Sequence, residues 1–236
     1  MQAAIIPTDS SDEFVRAAAT VLERAIVGAI DKNGRCVLGL SGGSTPGPVY
    51  ELLGRKATVD WSRVHVFLVD ERCVPEDDDR GNRKLVEGTL LRHAGVPDLQ
   101  RHFPDTSMEP GECARFYDHA LRQLLPDAGP DVVTLGIGDD GHTASLFPPL
   151  STADLHAAPF AVSTKVPDGP DGAPRFPVRD RISTTLTLLR TAETKVFLLN
   201  GASKKAVWEK TSAPGASVLE WPGSLLLHKA IAVTRW

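Results

Sequence analysis

The sequence predicts an α/β fold with a mostly parallel sheet flanked by helices. Short apolar runs of the kind that form buried strands alternate with segments of helical pattern, and 236 residues are enough to bury a large core. Strands that alternate with helices are joined by right-handed crossovers, which place the strands parallel in one sheet. Because no linker or internal repeat interrupts the pattern, we expect one domain over residues 1–236.

The first half of the chain carries clear helix signals. Ser10 and Glu13 have the spacing of a capping box, Gly34 is placed to end the helix that follows, and Pro46 suits the first turn of the next helix. The elements predicted here are a helix at Ser10–Asp31, a strand at Arg35–Leu40, a helix at Pro46–Leu53, a strand at Val64–Val69, a charged loop at Asp70–Asn82 leading into a helix that ends near His93, and a helix at Gly111–Leu125.

The second half is predicted to supply the remaining strands. Proline and glycine are frequent in Pro167–Pro177, so this segment is predicted to be a loop. The predicted strands are Val132–Ile137, Phe160–Val166, Ile182–Leu188, Val196–Asn200 and Ile231–Val233, and a helix is expected at Ser203–Lys210.

Composition and charge disfavour several classes of protein. The chain is 42% hydrophobic and 24% charged, as globular proteins are, and its formal net charge of −4 argues against a general nucleic-acid binder. Three widely spaced cysteines indicate neither a disulfide framework nor a zinc site. The first residues lack a secretory pattern, and no apolar stretch of about 18 residues occurs. We therefore expect no membrane partner and a cytoplasmic location.

Polar or glycine-rich turns follow four predicted strands, after Leu40, Val69, Ile137 and Asn200. The carboxyl ends of parallel strands meet at one edge of a sheet, where ligands of α/β proteins bind. These turns are distant in sequence, yet we expect them to surround one site. Because the net charge of the chain is negative, an anionic ligand would have to be held there by local donors.

The first turn, Ser41-Gly42-Gly43-Ser44-Thr45, has the composition of a phosphate cradle. Its glycines let backbone N–H groups approach a ligand, its hydroxyls add donors, and a helix N-terminus follows. No carboxylate occurs from Arg35 to Tyr50. The turn is not a P-loop, because no Gly-Lys-Ser/Thr follows it. The structural alternative is a plain strand-to-helix turn with Thr45 as the N-cap.

The stretch Gly39–Gly43 also matches the Gly-x-Ser-x-Gly nucleophile elbow, which would make Ser41 the nucleophile of a serine esterase. An α/β-hydrolase builds several strands before its elbow, whereas one predicted strand precedes Ser41. Topology therefore disfavours this hypothesis. It predicts covalent labelling of Ser41 by a fluorophosphonate.

The turns after Val69 and Asn200 carry charged side chains. In Asp70-Glu71-Arg72, the guanidinium can grip a phosphate through two hydrogen bonds, and Asp70 can act as a base or orient one. Lys204, at the start of a predicted helix, and Arg181, beside the proline-rich loop, are further candidates for binding the phosphate. Solvated charged segments are the structural alternatives.

His142 is the candidate general base, because an imidazole suits that role near neutral pH. It lies in the glycine-rich turn Gly136–Thr143, where Asp139 or Asp140 can fix its tautomer. The same turn contains a Gly-x-Gly-x-x-Gly pattern, but two aspartates would stand where a pyrophosphate should lie, so we reject a dinucleotide site. No second histidine lies at ligand spacing, so no metal is predicted. An Asp-Gly turn with an incidental surface histidine is the structural alternative.

Taken together, these clusters resemble the 6-phosphogluconolactonase family, and they follow the family's order over most of the chain. The matching stretches are Leu38–Pro46, Asp70-Glu71-Arg72 with Val74-Pro75 and Asn82, Leu135–Pro148, Arg181-Ile182-Ser183, and Gly201–Lys204. The chain departs from the family pattern at Gly81, where the family usually has serine, which puts one polar contact in doubt.

The resemblance implies a Rossmann-like fold shared with glucosamine-6-phosphate deaminases and ribose-5-phosphate isomerases. It implies hydrolysis of a phosphorylated sugar lactone, 6-phospho-D-glucono-1,5-lactone, in the oxidative pentose phosphate pathway, without a cofactor. By the same resemblance His142 is the catalytic residue, while Arg72, Arg181, Lys204 and the turn Ser41–Thr45 hold the phosphate and the developing charge.

Two further functions stay open at this point. A glucosamine-6-phosphate deaminase of the same fold carries a glutamate a few residues past the histidine and a tyrosine at the Arg72 position, but His142–Pro148 contains no acid. A non-catalytic sugar-phosphate sensor would bind without turnover and usually carries a DNA-binding module, which we do not expect before Ser10. These differences favour hydrolysis.

Overall fold

The computed structural model describes residues 3–126, 128–169, 172–173 and 175–236. Positions 170, 171 and 174 of the predicted proline-rich loop lie outside the described residues. The strands are β1 (Ala4–Pro7), β2 (Cys36–Leu40), β3 (Val64–Leu68), β4 (Asp70–Arg72), β5 (Arg101–His102), β6 (Val132–Leu135), β7 (Ala161–Lys165), β8 (Asp180–Thr184), β9 (Thr194–Asn200) and β10 (Ala230–Arg235). The α-helices are α1 (Ser11–Asn33), α2 (Pro46–Gly54), α3 (Asn82–Val86), α4 (Pro110–Leu124), α5 (Thr152–Leu155), α6 (Leu186–Thr191) and α7 (Ala202–Thr211).

Seven strands form one parallel sheet in the order β1-β10-β9-β6-β2-β3-β5. The chain runs from β2 outward to β3 and β5, and then returns to β6 on the other side of β2. The strand order therefore reverses between β2 and β6, which is where open α/β sheets bind their ligands. The predicted α/β class with a mostly parallel sheet is confirmed.

Helices cover both faces of the parallel sheet. Successive side chains of a strand point to opposite faces of the sheet. In β3, Val66 and Leu68 pack into the core under α1 and α2, while Phe67 packs into the core under α4. Strands buried on both faces explain the continuous apolar runs in the sequence. At the start of α1, Ser10 accepts a hydrogen bond from the Glu13 N–H, and Gly34 ends the helix at a φ of 76°, as predicted.

A second sheet of three antiparallel strands, β4-β8-β7, was not predicted. Asp70–Arg72, predicted to lie in a loop, forms β4. The predicted strand Ile182–Leu188 is wrong in its second half, because β8 ends at Thr184 and α6 begins at Leu186. Thr185 starts α6 by accepting a hydrogen bond from the Leu188 N–H at 3.4 Å. Short apolar runs do not distinguish a strand from a helix, which explains the error.

The remaining differences concern short elements. The strands β1 and β5 and the helix α5 were not predicted, and the predicted helix after Asn82 continues from α3 as a π-helical turn at Glu87–Leu91. Among the described residues, no helix has the length and apolar character needed to cross a membrane.

Candidate active site

The structure brings the turns after β2, β3, β6 and β9 together around one cavity. Its volume is about 530 Å³, and it lies at the carboxyl ends of the parallel strands, where the strand order reverses. The candidate residues that line it are Ser41, Gly42, Gly43, Ser44, Thr45, Asp70, Arg72, Asp139, Asp140, His142 and Lys204. Arg181 does not line it.

The turn Ser41–Thr45 connects β2 to α2 at one wall of the cavity. Thr45 stands at the N-cap of α2, as in the structural alternative, but its side chain makes no capping hydrogen bond. Its hydroxyl is therefore not committed to the helix. Gly42 lies against Asn82, and a Cβ at residue 42 would stand 1.7 Å from the Asn82 Oδ1 atom. The turn therefore needs glycine at this position, and it keeps hydroxyl and N–H donors for an anion.

His142 lies in a tight turn after β6. The Gly138 N–H donates to the His142 carbonyl oxygen at 2.8 Å, and the Gly141 N–H donates to the Gly138 carbonyl oxygen at 2.9 Å. Nδ1 of the imidazole lies 2.5 Å from Oδ1 of Asp140. Because Nδ1 is engaged, Nε2 is the nitrogen that remains to take a proton from a reactant.

Asp140 is held as an ionised carboxylate beside this imidazole. Its Oδ1 also accepts the His142 backbone N–H at 3.2 Å, and its Oδ2 accepts a hydrogen bond from Nη1 of Arg175 at 3.0 Å. Burial alone would raise the pKa of Asp140, but the hydrogen bonds from His142 and Arg175 and the charge of His142 hold that pKa well below its usual range. The carboxylate can therefore stabilise an imidazolium at neutral pH.

The other two candidate carboxylates are engaged elsewhere. Asp139 is 71% exposed at its side chain and pairs with Nζ of Lys204 at 2.7 Å. Asp70 accepts hydrogen bonds from Ser145 Oγ at 2.6 Å and from Asn82 Nδ2 at 3.3 Å. Within the described structure neither carboxylate is hydrogen-bonded to His142, so the geometry favours Asp140 as the residue that orients the imidazole.

Two aromatic rings and a glycine, which has no side chain, define the space around His142. The ring centroids of Phe147 and Phe176 lie 4.9 Å and 5.6 Å from that of His142. A Cβ at Gly138 would stand 2.1 Å from Nδ1 of His142 and 2.7 Å from Oδ1 of Asp140. Glycine at position 138 therefore makes room for both members of the pair.

Replacing Gly138 by alanine is expected to lower kcat by about 10²-fold, because the added methyl group must displace the imidazole or its carboxylate, and small misplacements of catalytic groups are costly. The matched control is Gly95→Ala, at a position that does not line the cavity and where a Cβ would meet no atom within 4 Å. The control should keep kcat within about twofold. Equal kcat values for both variants would contradict this account of the turn.

Arg72 and Arg181 are cross-strand neighbours in the β4–β8 pair. Arg72 lines the cavity, whereas Arg181 is only 5% exposed. The Nε group of each is buried without a hydrogen-bond partner among the described residues. Burial, and then the charge of Arg72, lower the pKa of Arg181. Two adjacent guanidiniums favour an anionic ligand at Arg72, because its charge relieves their repulsion and it can accept hydrogen bonds from Arg72.

Glu71 shapes the loop that carries these groups. Its carboxylate is 3% exposed and accepts the backbone N–H groups of Arg72, Asn82 and Arg83 at 2.6–2.7 Å. Burial raises the pKa of Glu71. The middle residue of Asp70-Glu71-Arg72 is thus structural, and it brings Arg72 and Asn82 to the cavity wall.

The structure adds Arg175 and Phe176 to the site, and sequence reasoning missed both. They line the cavity and contact Asp140 and His142 from the segment Pro167–Pro177, which was judged only by its prolines and glycines. A basic residue next to an aromatic one was the available signal. The sequence contains no indication of which carboxylate that arginine reaches.

A family model described as glucosamine-6-phosphate isomerases/6-phosphogluconolactonase matches residues 9–236. The chain belongs to this family. A 6-phosphogluconolactonase of Caulobacter vibrioides is 36% identical over 212 residues, which cover 89% of this chain and 88% of that protein. A probable 6-phosphogluconolactonase of Dictyostelium discoideum is 33% identical over 231 residues, which cover 95% and 92%. The crystal structure of a 6-phosphogluconolactonase from Shewanella baltica superimposes with a TM-score of 0.82 at 27% identity and covers 99% and 97% of the two chains.

Membership of the glucosamine-6-phosphate isomerase/6-phosphogluconolactonase family places the Gly39–Gly43 match outside the serine esterases. The Ser41 hydroxyl lies 3.2 Å from the Thr134 hydroxyl, and no histidine or carboxylate of the described structure is hydrogen-bonded to it. A serine nucleophile needs such a base. Gly39 serves packing, because a Cβ there would stand 2.5 Å from Cζ of Phe67. Over the part of the chain that the structure describes, no group of three or more His, Cys, Asp or Glu side chains is placed to hold a metal ion.

Proposed function

We propose that the chain is a 6-phosphogluconolactonase, which hydrolyses 6-phospho-D-glucono-1,5-lactone to 6-phosphogluconate in the oxidative pentose phosphate pathway. The observation that carries this proposal is the pair formed by His142 and Asp140. One imidazole nitrogen is held by the carboxylate, and the other makes no hydrogen bond with any residue that the structure describes. Both residues line a cavity that also contains Arg72 and Lys204. The names of the relatives from Caulobacter vibrioides and Dictyostelium discoideum support the same activity.

His142 acts as the general base and then as the general acid. Nε2 takes a proton from water as the water oxygen bonds to the lactone carbonyl carbon, and the carbonyl oxygen becomes an oxyanion. Asp140 stabilises the imidazolium through Nδ1. When the tetrahedral intermediate collapses, the bond between that carbon and the ring oxygen breaks, and the ring oxygen receives the proton from Nε2. The new carboxylic acid releases its own proton to solvent.

The phosphate is held by other groups that line the cavity. Arg72 supplies a guanidinium fork, Lys204 supplies a point charge, and the turn Ser41–Thr45 supplies hydroxyl and N–H donors at the start of α2. Lys204 pairs with the exposed Asp139, and it exchanges that partner for the phosphate when substrate binds. Arg181, which does not reach the cavity wall, adds positive charge beside Arg72.

Asp70 serves this reaction by placement. Its carboxylate fixes Ser145 and Asn82, and Asn82 in turn lies against the phosphate-binding turn at Gly42. We therefore assign the role of assisting His142 to Asp140, and to Asp70 the role of supporting the cavity wall.

The surroundings of His142 favour a lactonase over a glucosamine-6-phosphate deaminase. Deaminase chemistry moves a proton on carbon and requires additional acid/base groups near the histidine. Here the ring of Phe147 packs against His142, and the stretch His142–Pro148 contains no acid. Lactone hydrolysis needs one base and one orienting carboxylate, which His142 and Asp140 provide.

The remaining features of the proposal come from the sequence pattern. We propose a single domain over residues 1–236 that acts in the cytoplasm on a small phosphorylated lactone, with neither a nucleic acid nor a membrane as partner.

The test is a coupled assay. Glucose-6-phosphate dehydrogenase generates the lactone in place, and 6-phosphogluconate dehydrogenase reports its hydrolysis. Acceleration over the spontaneous reaction, with no turnover of glucosamine 6-phosphate, is the expected result. Folded protein that binds the sugar phosphates without accelerating hydrolysis would overturn the proposal in favour of a sensor, and turnover of glucosamine 6-phosphate would favour a deaminase.

Removing divalent metal ions is expected to leave the activity unchanged, because His142 activates water without a Lewis acid in the mechanism proposed. Purified protein is dialysed against EDTA and its kcat is compared with that of undialysed protein. A loss of activity that zinc or magnesium restores would contradict the mechanism.

Replacing Arg72 by methionine is expected to raise KM for the phosphorylated lactone by about 10- to 100-fold, because a charged hydrogen bond to phosphate is lost. Hydrolysis of unphosphorylated gluconolactone should change little. Arg55→Met is the matched control, because Arg55 is exposed and pairs with Glu51 away from the cavity. Equal losses on both lactones would show that Arg72 does not bind the phosphate.

A further inference from the structure

The backbone of Ser41 is enclosed by a ring of buried hydrogen bonds. The Ser41 N–H donates to Oγ1 of Thr134 at 2.8 Å, that hydroxyl lies 2.6 Å from the hydroxyl of Tyr50, and the Tyr50 hydroxyl donates to the Ser41 carbonyl oxygen at 2.9 Å. Thr134 and Tyr50 are both 0% exposed. Three elements that border the cavity, β2, β6 and α2, therefore meet at one residue.

The chemistry of the backbone groups constrains the direction of the bonds in this ring. An N–H only donates and a carbonyl only accepts, so Tyr50 spends its single proton on the Ser41 carbonyl oxygen. Thr134 accepts the N–H of Ser41, and its own proton has two acceptors within reach, the Tyr50 oxygen at 2.6 Å and the Gly39 carbonyl oxygen at 3.3 Å. The shorter contact favours the Tyr50 oxygen, which closes the ring. Burial raises the pKa of Tyr50 to about 12, so its hydroxyl keeps the proton at any physiological pH.

This ring of hydrogen bonds lies just past the point where the backbones of β2 and β6 stop pairing. Backbone pairing between β2 and β6 is formed at Leu38–Val132 and Gly39–Val133. Just beyond these pairs, the side chain of Thr134 takes over the role of a backbone partner for Ser41. The strand order reverses at this gap, and the glycine-rich turn starts here.

The ring of hydrogen bonds also determines which polar groups of the turn Ser41–Thr45 can bind a ligand. The N–H and the carbonyl oxygen of Ser41 are both consumed, so N–H donors for an anion begin at Gly42. Among the described residues, the Ser41 hydroxyl has one polar contact, with Thr134 at 3.2 Å. This distance exceeds the usual range for an O–H···O hydrogen bond, so the hydroxyl readily exchanges the contact for a ligand oxygen.

We propose that Thr134 and Tyr50 are positioning residues for the phosphate-binding turn, in which their hydroxyls lock the backbone of Ser41 and thereby aim the donors of Gly42–Thr45 at the phosphate. Neither side chain touches the substrate. The identity of the anion as a sugar phosphate rests on the proposed function, whereas the locking of the turn does not.

The test removes single hydroxyls without changing the packing volume. Tyr50→Phe and Thr134→Val are each expected to raise KM for the lactone, and the dissociation constant of inorganic phosphate measured by calorimetry, by about tenfold. We expect kcat to stay within about twofold, since His142 and Asp140 are not part of the ring. Thr134→Ser keeps the hydroxyl and should restore values near those of the wild type.

Tyr117→Phe is the matched control. The hydroxyl of Tyr117 is likewise buried and holds both backbone groups of one residue, donating to the Leu68 carbonyl oxygen at 2.6 Å and accepting the Leu68 N–H at 2.9 Å. It does not line the cavity. Tyr117→Phe should lower the melting temperature about as much as Tyr50→Phe does, while leaving KM and phosphate binding unchanged. The comparison separates a positioning role of Tyr50 from a general loss of stability.

Unchanged KM and phosphate binding in folded Tyr50→Phe and Thr134→Val would overturn the proposal, and so would a fall in kcat without a change in binding. Should Tyr50→Phe not fold, the comparison of Thr134→Val with Thr134→Ser decides in the same way. If the wild type shows no lactone turnover, but phosphate binding weakens in Tyr50→Phe and not in Tyr117→Phe, the proposed function fails and the positioning role stands.

Discussion

Replacing His142 by alanine is expected to lower kcat for lactone hydrolysis by about 10²- to 10⁴-fold, the usual contribution of a positioned general base. The imidazole is the only group in the proposed mechanism that takes a proton from water, and its loss leaves Asp140 with Arg175 and the backbone N–H of residue 142. The phosphate-binding turn does not contact the imidazole through any described hydrogen bond, so KM should change much less than kcat. The coupled assay with glucose-6-phosphate dehydrogenase measures both constants.

His119→Ala is the control for this substitution, because His119 is exposed on α4 and does not line the cavity. It should behave as the wild type does. Circular dichroism and the melting temperature show whether the His142→Ala variant is folded. Retention of kcat in a folded His142→Ala variant would remove the mechanism, and labelling of Ser41 by a fluorophosphonate would then identify the alternative nucleophile.

Replacing Asp140 by asparagine is expected to lower kcat by about 10²-fold or more, since a neutral amide neither stabilises the imidazolium nor fixes the tautomer as a carboxylate does. The loss should lie mainly in kcat, because Asp140 touches the imidazole and Arg175 rather than the phosphate-binding groups. Asp139→Asn is the matched comparison, since it removes the adjacent carboxylate that pairs with Lys204. Its effect should be smaller and appear in KM. The reverse order of effects would show that the orienting carboxylate is wrongly assigned.

The position of the site was predictable because it follows from sheet geometry. A buried parallel strand that ends in a glycine-rich or charged turn delivers that turn to the carboxyl edge, and the turns that carry Ser41, Arg72, His142 and Lys204 all lie there. The choice between Asp139 and Asp140 was not predictable. Both are close to His142 in sequence, and only the folding of the tight turn from Gly138 to His142 determines which carboxylate meets Nδ1.

Contacts between segments that are distant in sequence could not be predicted either. Arg175 reaches Asp140 across 35 residues from a loop whose composition indicates only irregular structure. Arg181 was expected to hold the phosphate directly, but the unpredicted pairing of β4 with β8 sets it beside Arg72, away from the cavity wall. The strand β4 has no apolar pattern, because its sequence is Asp-Glu-Arg and its pairing depends on tertiary context.

A single-turnover measurement shows whether His142, oriented by Asp140, activates the attacking water. Enzyme in excess over freshly generated 6-phosphogluconolactone, with EDTA present, isolates the chemical step from product release. We expect rapid hydrolysis by the wild type and a rate close to the spontaneous one for His142→Ala, with 6-phosphogluconate bound equally well by both proteins. Equal single-turnover rates for the two folded proteins would contradict this role of His142.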